Sequence, residues 1–173
     1  MSSGISSSCA TALMLEEEDE FAGRVFVVDN QRISITQRRS VIQAKELADL
    51  GFSGQEIKDI LLRDKFESSI YIMVDTLKYL RKGGRLTPAV AAIGTVLRIK
   101  PVLQIQGERL DSFAKVKTLK QAKQTMIKAV TSDMEKRFAD SGQMLIDIAH
   151  TQNWEEAEIF RQELEQIFPG HDI

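Results

Sequence analysis

The sequence predicts an α/β fold, with mostly parallel sheets flanked by helices and one β-hairpin, on three observations. Short continuous apolar runs at residues 25–28, 69–74 and 144–149 read as buried strands of the parallel kind. Segments with apolar residues at helical spacing alternate with those runs, as crossover units require. Residues 101–106 and 109–117, separated by Gly107 and Glu108, have the form of a hairpin.

Taken in order, the chain opens on serines, and Cys9 to Leu15 is compact and helix-compatible before the acidic run Glu16 to Glu20. The strand Val25–Val28 ends at Asp29-Asn30, where a loop at a carboxyl end is expected. A helix follows from about Ser34 to Leu50, with Val41, Ala44, Leu47 and Ala48 on its apolar side and a stop at Gly51. Ser53-Gly-Gln-Glu56 is a capping box: the serine oxygen takes the amide of the third helical residue, and Glu56 reaches back to the free amide of Ser53. That helix runs to Leu62. Ser69–Val74 is the next strand, with Tyr71 and Met73 alternating against Ile70 and Ile72 across its two faces. A helix from Thr76 to Lys82 is ended by Gly83-Gly84, and Thr87-Pro88 supplies a hydroxyl cap and a first-turn proline for the apolar stretch Ala89 to Leu97. Leu119, Ala122, Met126, Val130, Met134 and Phe138 recur at helical spacing, giving a long helix ended near Ser141-Gly142. After the strand Met144–Ala149, Asn153 with Glu156 caps a last helix whose buried face is Ala157, Phe160, Leu164 and Ile167, stopping before Pro169-Gly170.

Composition narrows the function. The chain has 173 residues, 43% of them hydrophobic, enough to bury one ordinary core or two small lobes. Lysine and arginine number 23 against 25 acidic residues, so a net charge of −2 gives no global attraction to nucleic acid or to an anionic membrane. The single cysteine, Cys9, excludes an internal disulfide, and two histidines are too few for a zinc site of the usual Cys/His spacing. No metal and no cofactor are expected, and the cysteine usage points to the cytoplasm. No apolar run approaches the length of a transmembrane helix.

Three pieces carry a family resemblance. Leu77-Lys-Tyr-Leu-Arg-Lys-Gly-Gly-Arg-Leu, then Ile93-Gly-Thr-Val-Leu-Arg-Ile-Lys-Pro-Val-Leu, then Lys115-Val-Lys-Thr stand in an order and spacing that resemble the DegV family of fatty-acid-binding proteins. The opening Met-Ser-Ser-Gly-Ile-Ser-Ser-Ser-Cys-Ala-Thr-Ala is similar to that family's paired serines followed by a helix, so the serines are not a tag. Ile146-Asp-Ile-Ala-His-Thr resembles its strand and His-Ala turn, and the likeness covers essentially the whole chain. The resemblance implies a two-lobed bacterial carrier, the chain being truncated at both ends: residues 1–65 as the remainder of an N-terminal α/β lobe and residues 66–173 as a C-terminal lobe lacking its last elements. It implies a long-chain, palmitate-like fatty acid held between the lobes and its carboxylate presented to a fatty acid kinase. The chain is then a lipid carrier in fatty acid metabolism and not itself an enzyme.

By family position Ser6 is the serine that hydrogen-bonds the carboxylate, with Ser3, Ser7 and Arg85 as lesser candidates. A hydroxyl beside the free amides of a helix N-terminus suits an anion. The family's Gly-Thr-Tyr is replaced here by Ser7-Ser8-Cys9, and Gln37-Arg38-Arg39 stands where many members are small and apolar. The partner threonine of the family's site would lie before Met1, and its Gly-Thr-His segment after Ile173.

Each candidate has a plainer reading beside it. Ser6 also suits an ordinary helix cap. Gly83-Gly84-Arg85 lacks the spacing of a phosphate loop and reads first as a helix stop, with Arg85 free for a headgroup, a phosphate, the kinase or a salt bridge. His150 stands at a strand end, where a general base can sit, yet no cysteine or carboxylate partner is visible in the sequence. Lys100 and the lysines from Lys115 to Lys123 form a solvated face or a docking patch. Two rival functions stand beside the carrier. A serine hydrolase would use Gly4-Ile-Ser6, although Ser8 occupies the glycine position of a nucleophile elbow; a non-lipid interaction module would keep only the fold.

Overall fold

The computed structural model describes residues 1–93, 99–105, 109–139 and 144–173, with the side chains of 91–93 left aside. The helices are α1 (Ser8–Glu16), α2 (Ser34–Asp49), α3 (Gly54–Arg63), α4 (Lys78–Lys82), α5 (Pro88–Ile93), α6 (Leu119–Lys136) and α7 (Trp154–Ile167), and the strands are β1 (Ile70–Met73), β2 (Lys100–Ile105) and β3 (Leu110–Val116). The expected helix end at Leu97 and the hairpin turn at Gly107-Glu108 lie outside the described residues, whereas α6 stops at Lys136, short of the expected end near Ser141-Gly142, and leaves Phe138 buried just past the helix.

Local chemistry sets most of these bounds. The box at α3 forms as its sequence dictates: the Glu56 amide donates to Ser53 Oγ at 3.3 Å, and the Ser53 amide donates to Glu56 Oε2 at 2.8 Å. Thr118 caps α6 by accepting the Gln121 amide at 3.2 Å. Asn153 caps nothing with its side chain; its amide donates instead to His150 Nδ1 at 3.1 Å. On α7 Leu164 is buried, while the expected core residue Ile167 is 42% exposed and Phe168, just past the helix, is buried in its place.

The sheet corrects the expected topology. Among the described residues the strands form one three-stranded sheet in the order β1-β2-β3, and both pairings are antiparallel. The hairpin β2-β3 stands as expected, with a bulge opposite Val102 and Leu103 that leaves Phe113 as the extra residue. β1 is apolar throughout because both of its faces are covered, not because its neighbours run parallel. Ile70 and Ile72 pack on the core cluster of Leu77, Leu86, Val90, Leu103, Ile105 and Leu110. Tyr71, on the other face, donates its hydroxyl to Asp133 of α6 at 2.8 Å. A run of apolar residues signals burial on two sides, and two kinds of sheet provide that.

The other two expected parallel strands are not ladders. Residues 25–28 are extended, but Val27 donates its amide to Glu16 Oε1 at 3.0 Å, and the Val28 carbonyl accepts from the Met1 amino group at 2.8 Å. The Glu16 side chain thus satisfies a backbone amide of this segment without a neighbouring strand. Residues 144–149 make a single parallel bridge, Leu145 with Asp172, closed by the Ile146 amide on the Asp172 carbonyl at 3.1 Å.

Among the described residues, Ile33 and Arg39 reach from the first 65 residues to elements far along the chain. Ile33 packs against the core cluster of the sheet. Arg39 of α2 meets Asp147 with Nη2 to Oδ1 at 3.1 Å and Nε to Oδ2 at 3.3 Å, a two-pronged pair.

Candidate functional site

The serine-rich opening is a turn that leads into α1 and is clamped from below by the loop after Val28. The Ser6 amide donates to the Ser2 carbonyl at 3.0 Å, folding the serines over one another. Asp29 Oδ1 accepts the Ser3 amide at 3.0 Å, and the Gln31 amide donates to the Met1 carbonyl at 3.1 Å. Asn30, 2% exposed, accepts through Oδ1 from the Met1 amino group at 3.1 Å and from the Arg32 amide at 3.3 Å. Burial holds the pKa of that amino group below its ordinary value. Gln31 and Ser34 both adopt positive φ, 54° and 51°, so the loop carries backbone strain on both sides of Arg32.

On this platform Ser3, Ser6 and Ser7 are all exposed. The Ser6 hydroxyl donates to Ser8 Oγ at 3.0 Å and accepts the Ser8 amide at 3.2 Å, so it caps the first turn of α1. Ser7, at the N-cap position, makes no capping bond with its side chain. Cys9 sits directly beneath, fully buried, and desolvation, with Asp29 adding to it, raises the thiol pKa. The sulfur is therefore held as a neutral thiol and packs as a small apolar group. The cluster offers hydroxyls around a helix N-terminus, suited to a small anionic group.

Arg85 stands elsewhere, on the turn between α4 and α5. Its side chain is exposed and donates from Nη1 to the Gly83 carbonyl at 3.0 Å. Gly84 takes a φ of +68°, the left-handed conformation that ends α4 and that glycine adopts without strain. Backbone bonds fix this turn to β3: the Leu110 amide donates to the Arg85 carbonyl at 3.3 Å and the Thr87 amide to the Leu110 carbonyl at 3.0 Å. Among the described residues no hydrogen bond or ion pair joins Arg85 to the serines.

Both histidines make contacts within their own part of the chain or with nearby backbone. His150 Nδ1 accepts the Asn153 amide, and its ring meets Trp154 edge-on at 5.6 Å. His171 Nδ1 lies 3.2 Å from the Met144 carbonyl. Among the described residues neither histidine is bonded to Ser6, and no three His, Cys, Asp or Glu side chains gather in a way that could hold a metal ion. No described helix is long and apolar enough to cross a membrane.

Sequence reasoning passed over the clamp itself. Asp29 and Asn30 read as the end of a strand, yet they hold the serines in place. A buried guanidinium was also missed: Arg32, 9% exposed, donates to Ser40 Oγ at 3.2 Å and to the Asp64 carbonyl at the C-terminus of α3 at 2.5 Å. Only the pairing of a polar dipeptide with an unusually strained loop marks these residues, and strain is invisible in sequence.

Comparison with known proteins finds relatives along the whole length of the chain. A DegV domain-containing protein of Staphylococcus aureus (strain N315) is 32% identical over 170 residues, covering 98% of this chain and 57% of its own. One of Clostridium perfringens is 31% identical over 177 residues, covering 99% and 59%. The chain thus spans a little under three fifths of the length of these relatives. Among solved structures, a DegV family protein from Thermus thermophilus described for its fatty acid binding matches with a TM-score of 0.77 and 28% identity, over 100% of this chain and 59% of that one. A fatty acid binding DegV family protein from Streptococcus agalactiae matches with a TM-score of 0.82 and 27% identity, over 96% and 57%. The family model described as an uncharacterised protein of the DegV family spans residues 1–173, and the chain belongs to the DegV family.

Proposed function

We propose that this chain forms part of a carrier that holds a long-chain fatty acid between two lobes, residues 1–65 and 66–173, with the carboxylate at the Ser6 segment. The observation that carries the reading is the exposed trio Ser3, Ser6 and Ser7 around the N-terminus of α1, in a chain whose solved relatives are described as fatty acid binding. The Ser6 hydroxyl turns from Ser8 to the ligand, and the first amides of α1 add partial positive charge. An apolar chain of about 16 carbons supplies most of the affinity through burial at roughly 25 cal/mol per Å². The carboxylate fixes its direction and is presented to a fatty acid kinase, with this protein as carrier and not catalyst.

The hydrolase alternative needs a base beside Ser6, and its partner is the hydroxyl of Ser8. Native mass spectrometry and organic extraction of the protein purified from cells test the carrier reading. A co-purified fatty acid that is lost on Ser6→Ala supports it. Absence of lipid from every preparation, together with ester turnover abolished by Ser6→Ala, sinks it.

A further inference from the structure

The distal end of the hairpin and the first half of α6 border a shallow, open hollow of about 400 Å³ lined by Lys115, Val116, Lys117, Gln121, Gln124, Thr125 and Lys128. Lys115 and Lys117 come from the end of β3 and the turn after it, and Gln121, Gln124, Thr125 and Lys128 form one stripe of α6 at spacings of three and four. Among the described residues Lys115, Lys117 and Lys128 meet no carboxylate, as holds for most lysines of the chain, whereas Lys45, Lys58, Lys100 and Lys123 each meet one. Among the described residues no acidic side chain lines the hollow. Lys123, on the same helix, turns to Glu156 and the Phe160 ring, and Lys115, Lys117 and Lys128 are the cations that line the hollow.

We propose that this hollow binds a phosphate group carried by a soluble ligand or a lipid headgroup. Three lysines around one concavity repel one another, and an anion with more than one charge relieves that cost where a single carboxylate leaves an excess. Compact ammonium groups on flexible stems suit a phosphate as a point-charge partner. Gln121 adds a neutral donor. Gln121 Oε1 accepts the Lys117 amide at 3.0 Å, which fixes the side chain and leaves its NH2 group to donate. The cap at Thr118 sets α6 with its positive end beside the lysines. A net charge of −2 gives the chain no global attraction to an extended polyanion, which favours a single phosphate group. This site stands on the hollow alone and is independent of the lipid reading at Ser6.

Titration of the isotope-labelled 173-residue chain with pyrophosphate, followed by amide shifts, tests the proposal, alongside co-sedimentation with phosphatidylcholine vesicles with and without phosphatidic acid. Saturable shifts at Lys117, Gln121, Gln124 and Lys128, weakened about tenfold or more in Lys117→Gln/Lys128→Gln with the remaining spectrum unchanged, are expected. Pyrophosphate binding assigns a soluble ligand. Binding confined to phosphatidic acid vesicles and lost in the double variant assigns a headgroup. No saturable response to either probe, or equal binding by the double variant, overturns the site.

Discussion

Tyr71→Phe isolates the bond that ties the sheet to α6. The Tyr71 hydroxyl donates to Asp133 Oδ2 at 2.8 Å, Asp133 is 8% exposed, and Arg137 Nη1 reaches the other carboxylate oxygen at 3.3 Å. Arg137 also binds the Phe66 carbonyl at 2.9 Å and the Ser69 hydroxyl, so the triad closes the start of β1 against the helix. A hydrogen bond to a charged group contributes about 1.5–3 kcal/mol. Arg137 keeps the carboxylate partly satisfied in the variant, which places the loss near the low end, ~1.5 kcal/mol. With a urea m-value of about 2 kcal/mol per M, the midpoint falls by roughly 0.7 M. The pH dependence gives a second reading. Burial, followed by the bond to Asp133, pushes the Tyr71 pKa up to about 12. The folded protein then holds the phenolic proton more tightly than the unfolded chain, whose tyrosine titrates near ~10. The contribution is fully present below the unfolded pKa and is lost as pH rises through the folded one. Wild type is expected to lose stability across that alkaline window more steeply than Tyr71→Phe, by urea melts followed through far-UV circular dichroism. A midpoint unchanged by the substitution, or identical alkaline slopes, refutes the reasoning.

Leu103→Ala removes a fully buried side chain from the centre of the sheet's core cluster, with an expected cost of about 2–5 kcal/mol by the same melts. Ser53→Ala deletes the cap of α3 and is expected to cost about 1 kcal/mol, with hydrogen exchange quickened in the first turn of that helix and unchanged in β2.

Local signals were legible in several places where a residue's neighbours in sequence were also its partners, although the cap expected of Asn153 did not form. Ser53 and Glu56 bond across three residues, Thr118 and Gln121 do the same, and Gly84 ends α4 by its own backbone conformation; each could be read without a fold. The hairpin of β2 and β3 belongs to the same class, since its strands are adjacent in the chain. The family was legible too, because Leu77 to Leu86 and Lys115 to Thr118 keep a recognisable order.

What tertiary structure alone decided is who stands across from whom. The apolar runs at residues 25–28, 70–73 and 144–149 look alike in sequence, yet one is an antiparallel strand, one is held by Glu16 and Met1, and one makes a single bridge to Asp172. Hydrophobic content measures burial, whereas pairing depends on which backbone arrives to accept the hydrogen bonds. The candidate site divides the same way. The serines and their place before a helix were written in the sequence, but their clamp on Asp29 and Asn30 spans more than 25 residues of chain. So does the contrast among the lysines, in which Lys123 finds Glu156 while Lys115, Lys117 and Lys128 face a common hollow: charge can be counted in a sequence, and only the fold decides which charges are neutralised.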